Sequence, residues 1–257
     1  MIAMNTSVRP TDHRAAYVSS WPPERFIVPM LAERLPELFH RFCPPPRINA
    51  RALDAGCGMQ PFKGMIKDSG YDYLGMDVVQ NRAGTVGVLG ALDEPLPAEL
   101  RHAAPFDFIL CTEVLEHVAR WSPAFANFVH LLAPGGRILI TCPHFYPLHE
   151  TPYDFWRPTP HAIEHFARES GLQLVYIEKA GGPREVLGTL LAETHCYPNS
   201  GKLPDRIAAA AARMIRAMII HCLHSKSWSS RISFQGPYYL ANLAVLQKTG
   251  GTSVAPA

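Results

Sequence analysis

The chain has 257 residues, enough for one large domain with a full core. It is 47% hydrophobic and 18% charged, which excludes a disordered or low-complexity chain and fits a soluble globular one. A formal net charge of +2 is too small to argue for nucleic acid or an anionic membrane as partner.

No apolar run approaches the ~20 residues that span a bilayer, so no transmembrane segment is expected. The first residues, Met1-Ile2-Ala3-Met4-Asn5-Thr6, lack a basic start and an apolar core, so a cytoplasmic chain without signal peptide is expected. The six cysteines form no Cys-x-x-Cys pair and read as free thiols.

Residues 1–49 are predicted to be a proline-rich N-terminal extension with one helix. Ile27, Leu31, Leu35, Leu38 and Phe42 recur at helical spacing, and Cys43-Pro44-Pro45-Pro46 stops the run. From residue 50 strands and helices alternate. A strand over 50–55 precedes a helix opening at Pro61 and ending before Gly70, and a second strand covers 73–78. Only a short connection leads to Val86-Gly87-Val88-Leu89, whereas a parallel crossover usually takes a dozen residues or more, so the helix there is shortened or missing. A strand over 106–112 leads to a helix capped by Ser122 with Pro123 at its first position, ending at Pro134-Gly135-Gly136. A strand over 137–142, a helix from Thr159-Pro160 to Gly171, and a strand over 172–178 follow. An insertion over 183–232 holds a strongly helical run, Ile207 to Leu223, and residues 250–257 read as a frayed tail. The alternation implies a parallel sheet with helices on both faces.

The first strand ends in Ala52-Leu53-Asp54-Ala55-Gly56-Cys57-Gly58, an apolar run, an acid and two glycines. That is a tight turn where backbone approaches a nucleotide-like ligand. A dinucleotide turn needs a third small residue, but Pro61 stands there, and no Gly-Lys-Ser/Thr follows to make a phosphate loop. Asp-Ala-Gly-Cys-Gly resembles motif I of class I S-adenosylmethionine-dependent methyltransferases. Tyr73-Leu74-Gly75-Met76-Asp77 resembles that family's second strand, Phe106 to Val118 its fourth strand and loop, and Leu131 to Ile140 its turn into the fifth strand. The resemblance covers about residues 50–180 and 238–248. It implies an α/β, Rossmann-like, doubly wound and mostly parallel seven-stranded sheet over 50–257. The last, antiparallel strand would run from Tyr238 to Gln247.

The resemblance implies S-adenosyl-L-methionine as cofactor, with S-adenosyl-L-homocysteine as product. Gly56 and Gly58 would let backbone approach the methionine part, Asp77 would accept hydrogen bonds from both ribose hydroxyls, and Asp54 would orient the turn or the cofactor amine. The adenine loop has Ala91 where the family often has an acid, so backbone N–H groups would read adenine while Leu92 packs on its face. Cys57, Cys111, Cys142 and Thr112 fall at or just after strand ends, with Cys57, Cys111 and Thr112 expected at the cofactor. Cys57 would then make the enzyme sensitive to thiol reagents, although small core residues remain the simpler reading of all three thiols.

Glu113-x-x-Glu116-His117 has two readings. A hydrogen-bonded structural cluster is preferred. The alternative comes from O-methyltransferases of ubiquinone biosynthesis and of small-RNA 2′-ends, whose similar run is a divalent-metal site completed by a later histidine, here His149. A helical face would hold the three side chains together.

Residues 142–159 are the expected acceptor wall. Their Pro-His and His-x-x-Pro-x-Asp-Phe-x-Arg-x-Thr runs resemble methyltransferases associated with glycan and glycolipid biosynthesis. Transfer to a hydroxyl benefits from a base, for which His144 and His149 are candidates with Asp154 as orienter. The expected reaction is O-methylation of a sugar, glycolipid or other small metabolite. A nucleic-acid methyltransferase would want a basic stripe, and a non-catalytic cofactor-binding scaffold would lack this His- and Tyr-rich loop. The 207–223 helix is expected to dock on the domain, with a lid, a homo-oligomer (dimer) face or a membrane-surface contact as alternatives.

Overall fold

The structure is a computed structural model that describes residues 17–19 and 22–250. Most of the tail and the first sixteen residues of the N-terminal extension lie outside the described residues.

Helix α1 (Glu24–Phe42) leads into β1 (Ala50–Ala55), α2 (Lys63–Asp68), β2 (Tyr71–Asp77) and the two-residue β3 (Val88–Leu89). Then come α3 (Ala98–Ala103), β4 (Phe106–Thr112), a 3-10 turn (Leu115–His117), α4 (Trp121–Leu131), β5 (Leu132–Pro143), α5 (Pro160–Glu169) and β6 (Leu172–Ala180). Three helices, α6 (Pro183–Glu193), α7 (Leu203–His224) and the short α8 (Lys226–Ser229), fill the stretch before β7 (Ala241–Lys248). The sheet order is β3-β2-β1-β4-β5-β7-β6, and β7 pairs antiparallel with both neighbours. No helix separates β2 from β3, as the short connection required.

Two apolar layers flank the sheet. Trp121, Phe125 and Phe128 of α4 and Ile163 of α5 pack on one face, and Ile27, Leu31, Leu35 and Leu38 of α1 pack on the other. Helix α1 is therefore a layer of the same core. Thr159 caps α5 by accepting from the Ala162 N–H, and Gly171 ends it with φ of 76°. Ser122 does not cap α4; Arg120 holds that position, and its N–H donates to Asp93 at 3.2 Å. Helix α2 begins two residues after Pro61.

Helix α7 corrects the expectation that nothing here is long enough to span a bilayer. It has 22 residues and is apolar enough by length and composition, with 11% of its most apolar window buried. The helix reaches that length because Arg213 and Arg216 are the two charges within its apolar stretch.

Candidate active site

A cavity of about 340 Å³ opens at the carboxyl ends of β1, β2 and β4, where parallel sheets of this type take ligands. Gly56 turns the chain out of β1 with φ of 78°, and its N–H and that of Cys57 both donate to the Met76 carbonyl. A Cβ at Gly56 would lie 2.3 Å from Val114 Cγ2, so only glycine lets the two loops close on each other. The Asp77 carboxylate accepts from the N–H groups of Gly58 at 2.8 Å and Val78 at 2.7 Å. It thereby clasps the glycine turn while lining the cavity.

Asp54 lies beneath the turn, buried, and accepts from the Tyr73 hydroxyl at 2.7 Å. Burial pushes its carboxyl up to about 7, against the pull of the Tyr73 hydrogen bond and with help from the Asp77 charge. Cys57 is buried beside it, and burial together with the Asp54 and Asp77 charges pushes its thiol up to about 12. Cys57 also lines the cavity, and a buried neutral thiol is a poor nucleophile, so reaction with thiol reagents is expected to be slow.

Gly90, Ala91, Leu92 and Asp93 form the wall beyond β3. The Asp93 side chain is engaged by Arg120, which leaves backbone and Leu92 to face a ligand there. Thr112 also lines the cavity and shares a 2.9 Å hydrogen bond with Thr141. Cys111 and Cys142 do not line it; both are wholly buried in the core, on strands whose alternation turns them away.

The Glu113 run does not form a helical face. Glu113 has φ of 53°, and its Oε1 accepts from the Thr141 hydroxyl at 2.9 Å, on the cavity wall. Glu116 and His117 sit in the following 3-10 turn, and the loop after β5 brings His149 to them. Ligand atoms of Glu116, His117 and His149 lie within 4.8 Å of one another. His117 Nδ1 pairs with the Tyr153 carbonyl at 2.9 Å, and His149 Nδ1 meets Asp154 Oδ2 and the Pro147 carbonyl, each at 3.2 Å. Both Nε2 atoms therefore face Glu116 Oε1, at 3.7 and 4.0 Å, too far for hydrogen bonds. That oxygen is buried and has no hydrogen-bond partner.

The electrostatics match this geometry. Burial, with the Glu113 charge second, pushes the Glu116 carboxyl well above the usual carboxylate range. Burial and the neighbouring His117 push His149 down to about 4, so its imidazole is neutral at physiological pH. Burial alone would raise Asp154, but the Arg157 guanidinium holds it below its ordinary value through bonds of 2.6 and 2.7 Å. Asp154 thus stands where an orienter of His149 would stand.

His144 is not at the cavity. Its ring stacks on Tyr239 at 4.2 Å, and Nδ1 pairs with the Pro158 carbonyl at 2.9 Å. Of the 142–159 loop, Tyr146, His149 and Glu150 line the cavity; Phe155 and Trp156 do not, and the Trp156 indole N–H donates to Val118. Sequence reasoning missed Tyr17 and Glu24, which close the cavity from the other side. No motif marks them: Glu24 arrives there at the start of α1, and the Tyr17 ring packs on Phe62 at 4.7 Å.

A glycine turn clasped by a strand-end acid, at the switch point of a 3-2-1-4-5-7-6 sheet, defines a class I S-adenosylmethionine-dependent methyltransferase. The methyltransferase-domain family model matches residues 29–177, and the chain belongs to that family. It is similar to the ubiquinone biosynthesis O-methyltransferase of Xylella fastidiosa strain 9a5c, 28% identical over 144 residues covering 51% of this chain and 57% of the relative. The strain M23 protein of the same description is 31% identical over 102 residues, covering 36% and 41%. The chain thus spans about half the length of the curated relatives it matches. Among solved structures, a protein described as a sarcosine dimethylglycine methyltransferase from Galdieria sulphuraria aligns with a TM-score of 0.53 at 15% identity, covering 93% of this chain and 94% of that one. A methyltransferase from Archaeoglobus fulgidus gives 0.51 at 18%, covering 84% and 94%, and the cyclase SpnF gives 0.52 at 16%, covering 86% and 82%. These structural likenesses establish the fold.

Proposed function

We propose that this methyltransferase methylates a hydroxyl of a sugar, glycolipid or other small metabolite, and that Glu116, His117 and His149 hold a divalent cation beside the acceptor. The observation that carries this reading is the pair of imidazoles whose Nδ1 atoms are tied back while both Nε2 atoms face one unpartnered carboxylate oxygen. Tied-back histidines around an orphan oxygen are the usual surroundings of a metal ligand set. A structural hydrogen-bond cluster would instead satisfy that oxygen. The relatives named O-methyltransferases support oxygen as the methylated atom.

S-adenosylmethionine, when bound, supplies an electrophilic methyl, and a divalent cation, when bound, supplies a Lewis acid that lowers the pKa of a hydroxyl. Asp77 holds ribose hydroxyls while keeping the turn closed. Gly56 and Gly58, both at positive φ, form the turn whose backbone would face the methionine part of the cofactor. His149 changes role from the sequence reading. An imidazole pushed down to about 4 is a weak base at neutral pH, whereas a neutral ring with an open Nε2 is a good ligand. Asp154 and Arg157 position that ring. With the acceptor held in line, positioning supplies much of the rate.

The test is Mn²⁺ binding to chelator-treated protein by electron paramagnetic resonance, beside labelled methyl transfer to sugars and lipid-linked sugars. Saturable binding in the parent and none in His149→Ala is expected. No binding in the parent would return the cluster to a structural role. Transfer to amines but not to hydroxyls would overturn O-methylation.

A further inference from the structure

Helix α7 presents an apolar stripe that nothing among the described residues covers. With 3.6 residues per turn, Ile207, Ala211, Met214 and Met218 fall on one side, bordered by Ile215. Ile207, Met214, Ile215 and Met218 are 60%, 70%, 50% and 59% exposed. The opposite side is docked: Ala209 and Leu223 are buried, and Arg216 donates to the carbonyls of Leu191 and Ala192 at the end of α6. The helix is therefore fixed to the domain by one face and bare along the other. Just beyond it, Trp228 and Ile232 are also exposed.

The charge of this segment is predominantly positive. Residues 202–232 contain Lys202, Arg206, Arg213, Arg216, Lys226 and Arg231 against a single acid, Asp205. Arg206 is exposed and lies about 80° round the helix from Met214, on one border of the stripe, whereas Arg213 is turned further towards the docked side and donates to the Cys196 carbonyl at 3.0 Å. The net +2 of the whole chain hides this concentration, because the acids lie elsewhere in the sequence.

We propose that α7 lies on an anionic lipid bilayer, with Ile207, Met214, Ile215 and Met218 in the acyl boundary and Arg206 at the phosphates. Apolar side chains backed by cations are what an interfacial helix needs, and lipid headgroups complement the charge. A second copy of the chain would bring the same net-positive segment against itself. A spanning arrangement would have to release Arg216 from its carbonyls and strip α7 from the domain it is docked on.

The test is co-sedimentation of the full chain with phosphatidylglycerol-containing or pure phosphatidylcholine vesicles, comparing the parent with Met214→Glu/Met218→Glu and with Arg206→Glu. Far-ultraviolet circular dichroism and unchanged S-adenosylhomocysteine affinity check that the variants fold, since neither touches the cavity. Binding to the anionic vesicles alone is expected, released by high salt or alkaline carbonate, and weakened at least about tenfold by the double Met variant. Arg206→Glu should weaken it less. The proposal is overturned by absence of binding to anionic vesicles, by equal binding to neutral ones, or by an unchanged double variant. Resistance to carbonate would show a spanning helix. A parent dimer that the double variant makes monomeric, with no vesicle binding, would show a self-association face.

Discussion

Cofactor binding should expel a proton from Asp54. The carboxyl is buried under the glycine turn at about 7, mainly because burial penalises its charge. Roughly nine in ten copies are then protonated at pH 6, roughly half at pH 7 and roughly one in ten at pH 8. S-adenosylhomocysteine brings an ammonium group into the cavity that Asp54 lines, and a nearby cation favours the carboxylate. Binding should release about 0.9 proton at pH 6, falling to about 0.1 at pH 8. Affinity should rise about tenfold per pH unit below 7 and level off above it. The same group has a stability signature. Its folded value is raised above the ordinary 3.8, so its contribution is fully present below 3.8 and is lost as pH rises through about 7. The assay is calorimetric titration at pH 6 in two buffers of different ionisation enthalpy, repeated with Asp54→Asn. Equal heats in both buffers for the parent would refute the reasoning. So would proton release of the same size in the variant, which would place the titrating group elsewhere.

Three further outcomes follow from contacts already described or adjacent to them. Asp77→Ala removes the carboxylate from the Gly58 and Val78 N–H groups as well as from the proposed ribose contact, and should weaken S-adenosylhomocysteine at least about tenfold; unchanged affinity by calorimetry would remove the ribose assignment. Gly188→Ala sets a Cβ 2.2 Å from the Phe26 ring between α6 and α1. Overpacking of about 1–3 kcal/mol should outweigh the helix propensity gained, up to about 1 kcal/mol. A higher Tm in thermal unfolding would contradict that, and cofactor affinity should not move. Alkylation of Cys57 should be far slower in the folded chain than in denaturant, and should slow further with S-adenosylhomocysteine bound; rapid labelling followed by mass spectrometry would contradict its burial.

Much of this fold could be read before the structure because the information was local. Apolar runs marked β1, β4 and β5, and the turn glycines carry a positive φ that the sequence signals directly. Helices α3 and α6 were missed because their burial comes from tertiary position: α3 has one buried side chain, Leu100, and α6 packs by Val186, Gly188 and Ala192 with no strong apolar period. The start of α4 was misjudged for the same reason, since its entry is set by Arg120 reaching Asp93 across the fold rather than by Ser122.

The site shows the sharper limit. His144 and His149 sit five residues apart in one loop with similar neighbours, and sequence gave both the same role. Tertiary partners separate them. Tyr239, next to β7, takes the His144 ring, while Asp154 and the Pro147 carbonyl hold His149 towards Glu116. Residue type fixed which chemistry the loop can offer; the strand that follows about ninety residues later decides which imidazole offers it. Tyr239→Ala should remove the stack on His144, whose Nδ1 stays paired with the Pro158 carbonyl, without altering Mn²⁺ binding, because no ligand of the Glu116 cluster touches that ring. Loss of Mn²⁺ binding in Tyr239→Ala, in a variant that still binds S-adenosylhomocysteine, would show that the two histidines are coupled through the loop.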